Sequence, residues 1–458
     1  MSRVRYEITA TLHVLSPLHL GSGGARSITN LRGAGDNTPP PDVAAIARDG
    51  KGTPYLPAPS IKGVLRREAE SLFGHKDNVV KSLFGTIRRD SGATAEDGRK
   101  GLVDFRGASA SHLPPVREAP YADRATGGDI AQGALGPGVF VLARTAIDHA
   151  TGTAADHRLF FREAVAPGVQ FPLRADIDLR GREADPDRQQ QPLNDFLAVL
   201  ARLAAEEGVS FGASQADGDG RLRLDPASLV VRRRHLAKDG TFAAETFPCT
   251  LPPPRAKRQP ARVESFRLHC PGPFLVVDSS RLRKSGEETD KATPHLAPQT
   301  LNGSQPYIGG ASIAGALRSR AAWLQQLDRR VPDNDRADGV EPQQLSPVQR
   351  LFGVTGFRGL VTLRVTAVEG ARLWNVMSVK LDRFSGAPMD NQLFKTRAYI
   401  GTWLSFQLEL GARGEKTAPS TEDTELFEAL CGDVRTNGLE LGHGTSKGFG
   451  WFLPEGTR

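Results

Sequence analysis

Cysteine is scarce in this sequence, and the three that occur, Cys249, Cys270 and Cys431, stand far apart. None belongs to a CxxC pair or lies near a His-rich stretch. The sequence therefore predicts neither a disulfide framework nor a structural zinc site, because both need several ligating side chains at matched spacings. Cysteine usage of this kind fits a reducing compartment, and we predict a cytoplasmic protein.

Long apolar runs are also missing. The first residues, "MSRVRYEITATLHVL", alternate between polar and apolar side chains as a strand does, so they predict neither a signal peptide nor a membrane span. A Walker phosphate-binding motif is absent too. Both glycine-rich runs, "GASQADGDG" and "GHGTSKGFG", precede strand-like sequence instead of opening a helix, which argues against a nucleotide-triphosphate site.

Basic residues exceed acidic ones. The formal net charge of +7 favours a polyanionic partner such as nucleic acid, although many proteins carry a modest basic excess for no functional reason. At 458 residues the chain is long enough to fold as two or three domains, each with its own core.

The sequence contains an internal repeat. Six segments of the first half recur in the same order in the second half. The pairs are "TLHVLSPLHLG" with "RLHCPGPFLVV", "PYLPAPSIKGVLRRE" with "PYIGGASIAGALRSR", "SLFG" with "RLFG", "KGLVDFR" with "RGLVTLR", "AIDHATGTAADHRLFFREAVAPGVQF" with "KLDRFSGAPMDNQLFKTRAYIGTWLSF", and "GVSFGASQADGDGRL" with "GLELGHGTSKGFGWF". Six matches in register indicate duplication.

The repeat predicts two homologous domains, 1–230 and 262–458, joined by a linker at 231–261 that is rich in proline and arginine. Segments such as "PLNDFLAVLARLAAEEG" have apolar residues at helical spacing, whereas "LVTLRVTAV" and "WLSFQLELG" alternate like half-buried antiparallel strands. Mixed helices and antiparallel strands in each half predict a tandem α+β protein.

The second repeated pair predicts a turn followed by a basic helix, which we call the turn-helix. Ser60 and Ser312 stand where an N-cap would lie, and a helix N-terminus with basic side chains nearby suits a phosphate group. The predicted RNA-binding residues are Ser60, Lys62, Arg66, Arg67, Ser312, Arg318 and Arg320 in the turn-helices, with Gly212, Gly218, Gly442, Lys447 and Gly448 in the glycine runs. The alternatives are a capped helix with a solvated basic face, a subunit contact at Lys62, and plain glycine-rich hairpins.

The segments "SPLHLGSGG", "PYLPAPSIKGVLRRE", "IDHATGTAADHRLFFREAVAPGVQF" and "GVSFGASQADGDGRL" resemble the RAMP superfamily, specifically backbone subunits of type III CRISPR effector complexes. The resemblance implies a modified ferredoxin-like (RRM-like) domain in each half, with loop insertions and a β-hairpin thumb. It also implies binding to a CRISPR guide RNA and its complementary target RNA, and contact with other RAMP subunits and the large signature subunit. The chain would be a fused double-backbone subunit of a type III-D-like system, with no membrane association.

The same resemblance implies that an aspartate between the first strand and the turn-helix cleaves target RNA. Asp36 and Asp290 are the first candidates, because each precedes a similar "TP" segment before its turn-helix, and Asp42 and Asp278 are further candidates. Asp36 and Asp290 would hold Mg²⁺ (or Mn²⁺), which would help the RNA 2′-OH to attack its own phosphate.

The sequence also allows two alternatives. In the first, the loop aspartates are inert and the chain is a purely structural guide-binding subunit. In the second, the chain processes CRISPR RNA with acid–base histidines, for which the candidates are His13, His19, His269, His295 and His443.

Overall fold

The computed structural model describes residues 4–27, 42–74, 77–86, 99–113, 136–147, 154–179, 186–236, 241–254, 261–277, 296–301, 305–328, 340–411 and 418–456. Its helices are α1 (Ala58–Phe73), α2 (Asn78–Phe84), α3 (Pro186–Ala204), α4 (Gly310–Asp328), α5 (Pro347–Phe352) and α6 (Thr421–Asn437). The strands of the first half are β1 (Val4–Val14), β2 (Gly21–Ser27), β3 (Asp42–Ile46), β4 (Tyr55–Leu56), β5 (Val103–Arg106), β6 (Ala108–Ser109), β7 (Val139–Ile147), β8 (Ala154–Val165), β9 (Gln170–Asp178), β10 (Val209–Ser210), β11 (Arg221–Leu236) and β12 (Phe242–Thr246). Those of the second half are β13 (Arg262–Cys270), β14 (Thr300–Leu301), β15 (Gln305–Pro306), β16 (Val361–Glu369), β17 (Arg372–Leu381), β18 (Pro388–Ile400), β19 (Thr402–Leu410), β20 (Leu439–Glu440) and β21 (Trp451–Pro454).

The two halves build their main sheets in the same strand order. The first sheet has the order β10-β11-β1-β9-β5, with β12 beside β11, and the second has the order β20-β21-β13-β19-β16. Neighbouring strands run antiparallel in both sheets. The repeated segments therefore fold into equivalent strands, and the predicted tandem α+β architecture is confirmed.

Each sheet has one apolar face and one polar face. Burial alternates along β1 and β19, as their sequence patterns predict for half-buried strands. The buried face of β1 packs with Ile61 of α1 and Phe196 of α3, and the buried face of β19 packs with Phe427 of α6. The two cores are separate clusters of apolar side chains, one for each domain.

The short second helix of each domain has local signals at both ends. α2 follows Asp77, whose side chain accepts a hydrogen bond from the backbone N–H of Val79, and α5 follows Ser346, which forms a capping box with Gln349. Both helices end at a glycine with positive φ, Gly85 at 86° and Gly353 at 85°.

The first sheet extends into the range predicted to be linker. β11 runs as far as Leu236, and β12 pairs with it between Phe242 and Thr246. Phe247, Cys249 and Leu251 then pack against the first core. The range predicted to be linker thus contains the end of β11 and all of β12, because β11 pairs with β1 on one side and with β12 on the other. The domain boundaries themselves stay predictions.

A β-hairpin precedes β9 in the first domain and β19 in the second. In the first domain β7 and β8 join β2 and β3 in a four-stranded sheet of order β2-β3-β8-β7, so the segment between β1 and α1, which holds the candidate Asp42, contains two strands of this sheet. In the second domain β17 and β18 form a two-stranded sheet of their own. Most side chains of this second hairpin are exposed, including Trp374, Met377 and Phe384.

Candidate nucleic-acid interface

The turn-helices begin earlier than the sequence suggested. α1 starts at Ala58 with Pro57 in the N-cap position, so Ser60 is its third residue, and Ser312 is likewise the third residue of α4. The prediction that these serines cap their helices was wrong, because the proline-containing turn fixes the start of α1 instead. Pro57 and Pro59 have no backbone N–H, so basic side chains must supply most of the positive charge at this end of α1.

A basic cleft lies beside α1. It has a volume of about 560 Å³, and the four basic side chains that line it are Lys62, Arg66, Arg99 and Lys100. Lys62 makes no hydrogen bond or ion pair within the described ranges. Lys100 pairs with Asp104 at 2.8 Å, but both side chains are exposed, and such a surface pair contributes little to stability. Lys62 and Lys100 can therefore turn towards an anion at little cost.

Arg66 and Arg318 have structural contacts as well. Arg66 donates to the carbonyl oxygen of Gly85 at 3.1 Å and to Glu70 at 2.9 Å, and Arg318 donates to the carbonyl oxygen of Gly353 at 2.8 Å. Each arginine thus ties its turn-helix to the end of the following helix. Two of the arginines predicted to bind RNA therefore also stabilise the fold.

Arg67 and Arg320 also bind protein groups. Arg67 donates to the carbonyl oxygen of Ser210 at 3.0 Å and to Gln215 at 3.1 Å, which links α1 to the first glycine run. Arg320 forms two hydrogen bonds with Asp433 of α6, at 2.6 and 2.7 Å. These bonds raise the pKa of Arg320 and lower the pKa of Asp433.

The two domains meet at a joint to which both contribute arginines. Loss of solvent and the nearby charge of Arg67 lower the pKa of Arg358, which belongs to the other domain. Burial, followed by the charge of Arg364 across the joint, lowers the pKa of Arg221 to about 10. Like charges repel, and the nearby carboxylates of Glu207 and Glu409 offset part of this repulsion at Arg221.

The glycine runs form loops of unusual backbone conformation. Gly212, Gly218, Gly442 and Gly448 have positive φ, and Lys447 lies exposed in the second loop. A Cβ at Gly212 would overlap the carbonyl oxygen of His19, and one at Gly442 would overlap that of Leu275, so both glycines permit close approach of protein backbone. Whether either loop also contacts RNA stays a prediction.

A charged cluster at the first glycine run was not predicted from the sequence. Arg144 of β7 reaches Asp217 at 3.2 Å and also contacts Asp219, and Arg162 donates to Ser214 at 2.7 Å. Burial raises the pKa of Asp219 to about 6, against the opposing effect of Arg144. The paired Arg and Asp residues gave no signal because their partners lie about seventy positions apart in the chain.

The candidate catalytic aspartates are placed only in part. Asp36, Asp278 and Asp290 lie outside the described residues, so the predicted Mg²⁺ ligands Asp36 and Asp290 have no described geometry. Asp42 begins β3, is exposed and stands opposite Ser27 in the sheet register. Within the described ranges, no group of three or more His, Cys, Asp or Glu side chains could hold a metal ion.

The candidate histidines occupy dissimilar sites. The ring of His19 is hydrogen-bonded through Nδ1 to the carbonyl oxygen of Glu163 at 2.7 Å, and burial lowers its pKa. His269 stacks on Trp403 with ring centroids 4.4 Å apart. His13 lies on β1, burial lowers the pKa of His443, and His295 lies outside the described residues. The four described histidines lie on different segments of the chain, and no two of them are hydrogen-bonded to each other.

The comparisons with known proteins agree with the repeat. The RAMP superfamily model matches residues 11–223 and again 290–452, one region in each domain. No curated protein matches the chain. None of the helices in the described ranges is long and apolar enough to span a membrane. Because the two matched regions cover most of the sequence, one in each half, the chain belongs to the RAMP superfamily, with a RAMP domain in each half.

Proposed function

We propose that this chain is a CRISPR RNA-binding backbone subunit of a type III effector complex, in which each domain holds one stretch of the guide. Membership of the RAMP superfamily implies a CRISPR-associated RNA-binding protein. The observation that carries the finer proposal is the basic cleft beside α1, where Lys62 and Lys100 are available to an anion. Phosphate contacts by such side chains give affinity with little sequence preference, as a guide-binding subunit requires.

The cleft and the joint suggest a path for the RNA backbone. Lys62 lies on α1 four residues before Arg66, and the charge of Arg67 on the same helix lowers the pKa of Arg358 in the second domain. A phosphodiester chain running from the cleft to the joint would meet basic groups of both domains in turn. It would also reduce the repulsion between the arginines there.

The second hairpin supports a contact with the guide–target duplex. Its tip carries Phe384 with 93% of the side chain exposed, next to Arg383, and Asp382 holds the turn by accepting hydrogen bonds from the backbone of Phe384 and Ser385. An exposed aromatic ring at the tip of a hairpin is suited to stacking on a base. This hairpin is the thumb in our proposal.

The proposal includes cleavage of target RNA at one site per domain. Asp36 and Asp290, with Asp42 and Asp278 as further candidates, would position a scissile phosphate, and Mg²⁺ or Mn²⁺ would neutralise charge that develops during attack by the 2′-OH. Complementary target RNA, other RAMP subunits and the large signature subunit are the proposed partners.

Binding of labelled single-stranded RNA at several salt concentrations tests the proposal. Lys62→Ala with Lys100→Ala should weaken binding to unrelated sequences by similar factors, and should reduce the slope of log K against log salt by about 1 for each lost phosphate contact. The control variant, Lys51→Ala with Arg262→Ala, removes the same charge elsewhere on the surface. Equal losses in both variants, or strong preference for one RNA sequence, would refute the cleft as the backbone site.

A further inference from the structure

The two glycine runs fold into the same loop. We call Gly212–Gly220 the first glycine loop and Gly442–Gly450 the second glycine loop. Positive φ occurs at four corresponding pairs of positions, namely Gly212 and Gly442, Ser214 and Gly444, Gly218 and Gly448, and Gly220 and Gly450. The internal hydrogen bonds correspond as well: the N–H of Asp217 donates to the carbonyl of Ser214, and that of Lys447 to the carbonyl of Gly444, at 3.1 and 2.8 Å.

The first glycine loop is docked on the second domain. A Cβ on Gly218 would lie 2.8 Å from the carbonyl oxygen of Leu363 in β16. A Cβ on Gly310, the first residue of α4, would overlap the carbonyl oxygen of Asp217. Backbone therefore packs directly on backbone, and the contact depends on a glycine at the start of the receiving turn-helix.

The second glycine loop is open. Ser446, Lys447 and Gly448 are exposed, whereas the corresponding Ala216, Asp217 and Gly218 are partly covered. No described atom lies within 4 Å of the position that a Cβ on Gly448 would take. The second glycine loop thus has the same conformation as the loop that docks on the second domain, but no described residue packs against its Gly448 on the side where a Cβ would lie.

The first domain is unsuited to receive this loop from another copy of the chain. Ala58 is the first residue of α1, as Gly310 is of α4, and the two stand at the same place in the repeated turn-helix segment. The methyl group of Ala58 would overlap an incoming loop carbonyl in the way a Cβ on Gly310 would.

We propose that the second glycine loop docks on the turn-helix of a separate RAMP domain whose helix begins with glycine. Ala58 then prevents copies of this chain from joining head to tail through the same surface. The argument rests on continuity with the joint inside the chain and needs no RNA; it deepens the proposed function, on whose partnership with other RAMP subunits it rests. The glycine at the first helical position would decide which subunits can follow this one.

The joint inside the chain tests the glycine requirement. A protease site inserted between Arg255 and Arg262 is cleaved after folding, and the affinity of the two pieces is measured. Gly310→Ala should weaken their association at least tenfold. Gly315→Ala, in the same helix but with open space around its Cβ, is the matched control and should leave association unchanged. Equal behaviour of the two variants would overturn the proposal.

The intact, RNA-free chain tests the role of Ala58. Sedimentation velocity across a range of concentrations should show the wild type as a monomer and Ala58→Gly as a concentration-dependent oligomer. Ser446→Trp added to Ala58→Gly should restore the monomer, because it obstructs the second glycine loop. A monomeric Ala58→Gly chain, or a wild type that oligomerises through this loop, would refute the proposal. These outcomes do not depend on RNA affinity, so they are separable from failure of the proposed function.

Discussion

Arg66 and Arg318 occupy the same position in the two turn-helices and make the same contact. Each donates a hydrogen bond to the carbonyl oxygen of the glycine that ends the next helix, Gly85 at 3.1 Å and Gly353 at 2.8 Å. These carbonyls lie at a helix C-terminus, where several backbone acceptors have no partner within the helix and a cation is favoured. The duplication has preserved a structural contact alongside the basic surface that surrounds it.

Replacing Arg318 should therefore affect stability. We expect Arg318→Ala to lower the free energy of unfolding by about 1 to 3 kcal/mol, since a partly buried hydrogen bond from a charged group is lost. Urea unfolding measures this change. Lys62→Ala is the contrasting variant, and its free energy of unfolding should stay within about 0.5 kcal/mol of the wild type. Equal stability of Arg318→Ala and the wild type would show that the contact with Gly353 contributes nothing.

In the first domain, removing one partner of a buried ion pair should destabilise the fold more than Arg318→Ala does. Glu68 of α1 and Arg202 of α3 lie 2.9 Å apart, with side chains 7% and 2% exposed. Removing one partner leaves an uncompensated buried charge, so Glu68→Leu and Arg202→Met should each cost about 3 to 5 kcal/mol.

The double variant of this pair supplies the control. Glu68→Leu with Arg202→Met should be much less destabilising than the sum of the single changes, because neither charge is then left alone. Thermal and urea unfolding of the four proteins complete a double-mutant cycle. Strictly additive losses would show that the two side chains do not interact.

The corresponding contact in the second domain should depend on pH. Arg320 stands where the first domain has Glu68, and its hydrogen bonds lower the pKa of Asp433. A carboxyl whose folded-state pKa is depressed stabilises the fold above its unfolded pKa, near 3.9, and that contribution is lost as pH falls through the lower folded value. Arg320→Ala should thus be less stable than the wild type at pH 7, by about 1 to 3 kcal/mol.

The difference between wild type and Arg320→Ala should shrink as the pH is lowered below about 4. Urea unfolding at several pH values measures it. Arg262→Ala is the matched control, because its pair with Glu428 at 2.6 Å is exposed on both sides and should contribute little at any pH. A pH-independent loss in Arg320→Ala would show that packing over Trp323, and not the charge of Asp433, is what the arginine supplies.

The sequence predicted the architecture because the repeat and the alternating strands are local signals. The burial pattern of β19 follows directly from "TWLSFQLEL", and Gly85 and Gly353 end their helices where the two "LFG" segments place them. The N-caps were mispredicted because Pro57 competes with Ser60 for the start of α1. Local pattern alone does not decide between two adjacent turn signals.

The site was harder to predict because the sequence does not reveal which group a basic side chain contacts in the folded protein. Arg320 and Lys62 look alike in the sequence, yet Arg320 binds Asp433, which lies 113 positions away. The contact between the first glycine loop and Gly310 also depends on how the domains meet, which no single segment encodes. Only contacts between residues far apart in the chain therefore show which basic side chains stabilise the fold and which are available to RNA.

Cleavage of target RNA provides the last prediction. Asp36 and Asp290 precede similar "NTP" and "KATP" segments ahead of the two turn-helices. If each carboxylate serves its own scissile phosphate, Asp36→Ala should remove one cleavage product and Asp290→Ala another. Guide and target affinity should change little, because a carboxylate that acts mainly in the transition state affects the rate more than ground-state binding. Gel analysis of end-labelled target RNA with the assembled complex and Mg²⁺ measures the products.

Asp42→Ala tests the rival assignment in the first domain. Asp42 is exposed at the start of β3, held by the sheet opposite Ser27, so its replacement should leave the fold intact. Loss of the first product in Asp42→Ala, with Asp36→Ala active, would move the catalytic role to the strand. If neither change affects any cut and chelation of Mg²⁺ leaves cleavage intact, the first domain binds guide RNA without cleaving the target. The basic cleft would then account for what this domain contributes, since binding by phosphate contact requires no carboxylate.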